Sequence, residues 1–197
     1  MKKVVLMAVA LLMVCAAKAQ FSAGDFTWGA KVGLNATNIS NFDMKNKASI
    51  HVGAFAEWNL SDFIGLSPEL VYSRQGAREK DGDVKYKLRV NYLNIPVLFK
   101  FYVLEGLSVD AGPQFGFALN SKVKVKDGDS SSKTKVKDVN TFDMSFPIGL
   151  SYTYEGLILS ARYNIGLTNM WSKDDYGVNT KNHVFQFSLG YRLSDLF

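Results

Sequence analysis

Strict alternation of apolar residues with polar or small ones dominates this chain, and it recurs eight times. The first run places Trp28, Ala30, Val32 and Leu34 on one face and Gly29, Lys31 and Gly33 on the other. The second sets Val52, Ala54, Ala56 and Trp58 against His51, Gly53, Phe55 and Glu57. The third opposes Leu66, Pro68, Leu70 and Tyr72 to Ser67, Glu69, Val71 and Ser73; the fourth opposes Leu93 to Phe101 by odd numbers to Tyr92 to Lys100 by even ones. The later four begin at Leu107, Phe142, Leu157 and Phe185, and carry Asp110, Asp143, Arg162 and Arg192 on their less apolar faces. Period two puts successive side chains on opposite sides of an extended backbone, so each run predicts a strand.

The links between runs alternate in length. Residues 59–63, 104–106 and 154–156 are short, whereas about 39–50, 76–88, 120–140 and 169–183 are long and polar. Short turns at one end and long loops at the other predict an eight-stranded antiparallel transmembrane β-barrel with short periplasmic turns and long extracellular loops. A soluble barrel of lipocalin type would bury the aromatic face and leave the Gly/Ser face wet. That wet surface would be poor in Lys and Glu, which argues against it. No apolar run reaches the length of about 20 residues that a membrane-spanning helix needs.

The N-terminal end reads as an address. Lys2 and Lys3 precede an apolar run from Val4 to Val14, and Ala17-Lys18-Ala19 forms an Ala-x-Ala cleavage site, so residues 1–19 are expected to be a signal peptide. Residues 20–197 are then one domain. A lipoprotein signal with Cys15 as acceptor fits less well, because Val14 stands where a small residue is usual. Cleavage removes the sole cysteine, and with it disulfide, thiol-nucleophile and thiolate-metal chemistry. It also removes three of the 23 basic residues, which leaves a net charge of about +2 against 18 acids; basicity therefore does not argue for nucleic acid.

A barrel of eight strands has an interior wide enough only for side chains. On the parity predicted to face that lumen stand Lys31, Lys100, Arg162 and Arg192 with Glu57, Glu69, Asp110 and Asp143. Four cations and four anions suit a buried ion-pair network that seals the lumen, since each would be costly to bury alone. A proton path or catalytic carboxylate pair is the rival reading, and the scatter of these charges, one on each of the eight runs, disfavours it. Trp28, Trp58, Tyr72, Tyr152, Tyr154 and Trp171 lie near run ends, where interfacial girdles belong.

Other chemistry is sparse. His51 and His183, the only histidines, sit beside long links and read as loop or interfacial residues with no metal motif. Asp81-Gly-Asp83 and Asp127-Gly-Asp129 lack the spaced oxygens of a calcium loop and suit hairpin turns instead. No catalytic residue, metal or cofactor is expected. An enzyme acting on lipid would need a His, a Ser and a carboxylate at one rim, which these strands do not bring together.

One segment carries alternation beyond the membrane. Lys122, Lys124 and Lys126 on the way out, and Lys133, Lys135 and Lys137 on the way back, flank a tip at Asp127 to Ser132. Closing that hairpin pairs Lys126 with Lys133, Lys124 with Lys135 and Lys122 with Lys137, all on the lumen-parity face above the mouth. Like charges directly opposite destabilise a hairpin, so an anion is expected to compensate. Glu79, Asp81 and Asp83 of the neighbouring link or water could serve, as could a polyanion such as lipopolysaccharide phosphate or an acidic glycan.

Several stretches carry a resemblance. Trp28-Gly-Ala-Lys-Val-Gly-Leu-Asn35, Leu66-Ser-Pro-Glu-Leu-Val-Tyr-Ser73, Tyr92-Leu-Asn-Ile-Pro-Val-Leu-Phe-Lys100, Ala111-Gly-Pro-Gln-Phe-Gly116, Arg162-Tyr-Asn-Ile-Gly-Leu-Thr168 and Leu189-Gly-Tyr-Arg192 follow one another. In that order they resemble the strand motifs of the porin-like outer-membrane β-barrel family that includes PorT-type proteins, small barrels of OmpA/OmpX kind. The resemblance implies an outer-membrane location in a Gram-negative cell, contact with outer-membrane lipid and lipopolysaccharide, and help from the barrel-assembly machinery during insertion. Where family chains often stop at an aromatic, Leu193 stands here and Phe197 follows four residues later. The expected role is non-enzymatic: loops displayed for surface binding, adhesion or envelope integrity. A narrow channel or a component of a secretion or uptake assembly is the alternative.

Overall fold

The computed structural model describes residues 23–39, 47–76, 78–81, 84–127, 130–135, 140–168 and 181–196. The expected signal peptide therefore lies outside the described residues, as do Lys137, Trp171 and Phe197.

The strands are β1 (Phe26–Ile39), β2 (Lys47–Ser61), β3 (Ile64–Gln75), β4 (Arg78–Asp81), β5 (Val84–Leu104), β6 (Leu107–Ala111), β7 (Gln114–Asp127), β8 (Ser130–Lys135), β9 (Phe142–Tyr154), β10 (Leu157–Gly166) and β11 (Asn182–Arg192). They join antiparallel in the order β1, β2, β3, β5, then β6 with β7, then β9, β10 and β11. β11 pairs back on β1 from Gly29↔Arg192 to Ile39↔Asn182, which closes the sheet. β6 and β7 are one barrel strand interrupted at Gly112 and Pro113. Pro113 has no N–H to give, yet its carbonyl still accepts from Val97 N at 2.9 Å. Counted so, the barrel has the eight strands that the alternation predicts.

Polarity is inverted relative to a water-soluble fold. Leu34, Val52, Leu70, Leu150, Leu159 and Phe187 stand on the outside, each more than half exposed. Asn35, Glu57, Glu69, Asn94, Lys100, Asp110, Asn164 and Arg162 are buried within. Lipid is the solvent that tolerates the first set, and closure pairs each strand of the barrel on both sides, as the hydrocarbon region demands.

The turn at 155–156 is tight, with positive φ at Glu155 (46°) and Gly156 (80°), the conformation a two-residue hairpin favours. Gly106, at φ 72°, serves the matching turn between β5 and β6. At the opposite end the second long link is no loop. β4 and the first part of β5 occupy most of 76–88, paired from Arg78↔Lys87 to Asp81↔Val84. With β7 and β8 they form a four-stranded sheet that continues upward from the barrel. β5 alone has 21 residues, about 69 Å at 3.3 Å per residue. Tilted about 40°, it rises roughly 50 Å, twice the apolar band of about 25 Å.

Candidate functional site

Two regions concentrate charge: the lumen and the sheet above it. In the lumen, Asp110, Gly149 and Arg162 lie side by side across β6, β9 and β10. Gly149 makes the arrangement possible, because a Cβ there would stand 2.6 Å from Arg162 Cγ. Arg162 Nη1 donates to both oxygens of Glu69, at 2.8 and 3.0 Å, and Nη2 approaches Asp110 Oδ2 at 3.3 Å. Lys31 Nζ donates to the same Glu69. Asp110 also accepts from Ser108 Oγ at 2.7 Å and from Ser151 Oγ. Glu69 comes from β3 and Arg162 from β10, strands on opposite sides of the barrel. The bond between them spans the lumen.

A second cluster adjoins the first. Lys100 Nζ donates to Glu57 Oε2 at 2.7 Å, and the Tyr102 hydroxyl donates to the other oxygen. Arg192 is buried and adds its charge near Glu57. The cavity among Lys31, Phe55, Glu57, Glu69, Lys100 and Arg162 has a volume of about 20 Å³, room for roughly one water. Seven of the eight expected lumen charges thus converge. Asp143 departs from that expectation: it stands half-buried towards the upper end and accepts from Thr168 Oγ1 at 2.7 Å instead of joining an ion pair. It enters β9 near the strand's upper end, too high to reach the others.

The histidines need correction too. His51 is neither a loop nor an interfacial residue but a buried one, seated where Gly33 leaves space on the neighbouring strand. A Cβ on Gly33 would come within 2.6 Å of His51 Cε1. His51 Nδ1 donates to Asn35 Oδ1 at 2.7 Å, which leaves Nε2 to accept from Ser188 Oγ at 2.7 Å. Ser, His and an amide are therefore lined up in a hydroxyl–base–orienter sense, an arrangement that was not expected. It lies inside the plugged lumen instead of at a rim, and the adjoining cavity has no room for an acyl substrate. His183 lies flat on Tyr163 on the outer face, with ring centroids 5.9 Å apart, as an interfacial residue would. Among the described residues no group of three or more His, Cys, Asp or Glu is placed to hold a metal ion.

Above the barrel the cationic hairpin forms, with two corrections. First, the described pairing runs up to Asp127↔Ser130, above the position expected for it. The pairs are Lys124↔Lys133 and Lys122↔Lys135, and Lys126 meets Ser131. Second, the face is the opposite one. Pairing of β7 with β5 runs Tyr92↔Ala118 and then Asn91↔Asn120, so Leu119 is an extra residue, a β-bulge. Beyond it, Lys122, Lys124 and Lys126 pair with Arg89, Lys87 and Lys85. On the unbroken β5 these odd positions continue the face of Leu93, Ile95, Val97, Phe99 and Phe101, while Val90, Tyr92 and Leu98 are buried inward. Exposed Lys122 thus lies on the outer face, and the register places Lys124 and Lys126 at positions of that same face, not the lumen-parity one.

Arg78, Lys80, Lys85, Lys87 and Arg89 belong to the same array and were not expected in it. The signal was present, since 85, 87 and 89 alternate as regularly as 122, 124 and 126. In register the array has three rows: Arg89, Lys122, Lys135; then Arg78, Lys87, Lys124, Lys133; then Lys80, Lys85, Lys126 with Ser131. Among the described residues no acidic one occupies a position in these rows. Glu79 and Asp81, expected as compensating acids, pair with Tyr86 and Val84 on the alternate face.

Comparison with known proteins agrees with this architecture. Residues 18–172 match the family described as outer membrane protein beta-barrel domain. The fold is similar to that of Ail, the attachment invasion locus protein of Yersinia pestis, in its complex with the heparin analogue sucrose octasulfate. That likeness has a TM-score of 0.52 at 14% identity, over 86% of this chain and 99% of that one. Neisserial surface protein A is similar at a TM-score of 0.52 and 13% identity, over 85% of this chain and 97% of the other. No curated protein sequence matches. At such identities the likeness is one of fold.

Proposed function

The chain belongs to the outer membrane protein beta-barrel domain family and resides in the outer membrane of a Gram-negative cell, and from that premise we propose that it is a non-conducting, non-enzymatic surface-binding barrel whose binding element is the cationic sheet above the membrane. The observation that carries this reading is the array itself: ten Lys and Arg positions in three adjacent rows on one face, with no acid among them. Stacked like charges weaken a sheet, so a surface so built is explained by the multivalent anion it holds. Ail, of similar fold, was solved with a sulfated heparin analogue, which recommends sucrose octasulfate as a first probe here. The Tyr92-Leu-Asn-Ile-Pro96 and Ala111-Gly-Pro-Gln114 motifs support a PorT-type affinity within the family, and we take the mature domain to begin at Gln20.

The experiment is direct. Lys85, Lys87, Lys122, Lys124, Lys126, Lys133 and Lys135 are replaced by glutamine, and binding of sucrose octasulfate is followed against salt. Wild type is expected to bind with a steep salt dependence, and the variant to lose both the binding and the salt dependence. Equal binding by both would refute the reading. The channel alternative is weaker because ion pairs cross the lumen and leave room for about one water; single-channel steps in a planar bilayer would restore it.

A further inference from the structure

The bulge at Leu119 decides what this array faces, and the inference drawn here rests on the anion-binding reading above. β5 runs without interruption from Val84 to Leu104, and its odd positions share one side up to Phe101, since its one irregularity lies beyond, between Tyr102 and Leu104. The lower ones, Phe101 up to Leu93, stand on the lipid-facing side, and Phe99 and Phe101 are over two-fifths exposed. The upper ones are Arg89, Lys87 and Lys85. Without the extra residue in β7, Lys122, Lys124 and Lys126 would pair with inward positions of β5 and line the space above the mouth. With it, they extend the lipid-facing side instead.

Height then selects the ligand. Arg89 lies four residues above Leu93, about 13 Å along the strand and roughly 10 Å along the membrane normal at a tilt of 40°. The hydrocarbon core is about 30 Å thick and the whole bilayer about 40–45 Å, so headgroups fill the first several ångströms beyond the apolar band. Arg89 and Lys122, both exposed, begin the lowest row at that level, just above the Asn91–Asn120 side-chain hydrogen bond of 2.8 Å. The next two rows climb in steps of about 5 Å. Neighbouring strands are about 4.8 Å apart, so each row presents its cations across roughly 10–14 Å. That is the span of one or two phosphorylated glycolipid headgroups. A soluble polyanion arriving at the mouth would meet the alternate face, where the register positions are Val84, Tyr86, Leu88, Val123 and Val125 with Glu79 and Asp81.

We propose that this outward cationic face binds the phosphates of anionic lipid headgroups in the outer leaflet surrounding the barrel, and so fixes a patch of that leaflet against one side of the protein. The lowest row sits beside the phosphates nearest the hydrocarbon, and the upper rows serve phosphates or acidic sugars carried higher on the same lipid.

The test uses the full barrel in phosphatidylcholine nanodiscs containing a minor fraction of diphosphorylated lipid A, with co-purifying lipid counted by mass spectrometry. Wild type is expected to enrich lipid A at least tenfold over phosphatidylcholine. The Arg89→Gln/Lys122→Gln/Lys135→Gln variant is expected to lose most of that enrichment while still migrating as a folded barrel, and the charge-keeping Arg89→Lys/Lys122→Arg/Lys135→Arg variant to retain it. Wild type that binds sucrose octasulfate but shows no lipid A enrichment would overturn the proposal and leave the anion-binding reading standing. Undiminished enrichment in the glutamine variant would also overturn it. Binding of neither probe by wild type would overturn both. Should the glutamine variant not fold, replacing diphosphorylated by dephosphorylated lipid A around wild type decides the matter, since enrichment must then vanish.

Discussion

Replacing Arg162 with Leu isolates the lumen plug. Arg162 is buried and serves two carboxylates whose side chains are 2% and 0% exposed, Glu69 and Asp110. The substitution leaves Glu69 with Lys31 alone and leaves Asp110 with two serine hydroxyls. Removing one member of a buried pair costs about 3–5 kcal/mol, mostly for the charge left behind. Two carboxylates are deprived here and one keeps a partner, so the middle of that range, about 4 kcal/mol, is expected. Equilibrium urea unfolding of the barrel refolded into lipid, followed by tryptophan fluorescence and by gel mobility, measures it. Adding Asp110→Asn removes the carboxylate that has lost its cation and is expected to recover at least about 1 kcal/mol, since contacting sites couple by that order. A loss below about 1 kcal/mol for Arg162→Leu alone would mean that water already reaches these groups. The sealed-lumen argument would then fail.

Further expectations concern closure and packing. The unheated protein should migrate faster in detergent gels than the boiled one, because each strand of the closed barrel is paired on both sides; identical mobility together with a helical circular dichroism spectrum would contradict the barrel. Gly33→Val should lower stability by about 1–3 kcal/mol through overpacking against His51, measured by the same urea titration, and His51→Ala should rescue it only in part because the backbone of Phe187 also crowds the site. His51→Leu should cost about 1–3 kcal/mol by taking the histidine acceptor from Ser188 and one of two donors from Asn35 Oδ1 while leaving lipid A enrichment in nanodiscs unchanged; loss of that enrichment would tie the lumen to the binding face.

Period-two patterning made the strands and the inward parity of Lys31, Glu57, Glu69 and Arg162 readable from residue order alone. Their partners were not readable, because Glu69 meets Arg162 across the lumen, through a stagger that no single strand encodes. His51 was misread for a local reason. It lies near a polar link, but β2 begins four residues earlier at Lys47, and the space it fills belongs to Gly33 on another strand. The lysine face turned on a single residue. Leu119 is as apolar as its neighbours and looks like ordinary alternation, yet as an unpaired insertion it shifts every later position to the opposite side. The hairpin register similarly differs by one step on each strand, with Lys124 opposite Lys133 and Lys122 opposite Lys135.

The bond between Glu69 and Arg162 also bears on how long the protein lasts. Opposite walls of a barrel approach only after β1 has found β11, so an open, partly inserted sheet contains none of this contact. An interaction absent while the barrier is being crossed cannot hasten the crossing; its whole effect falls on the reverse rate. The plug therefore acts as a latch, contributing nothing to the speed of insertion and much to the lifetime of the inserted state. A contact already made before closure would divide its effect between both rates, whereas this one lengthens the lifetime alone.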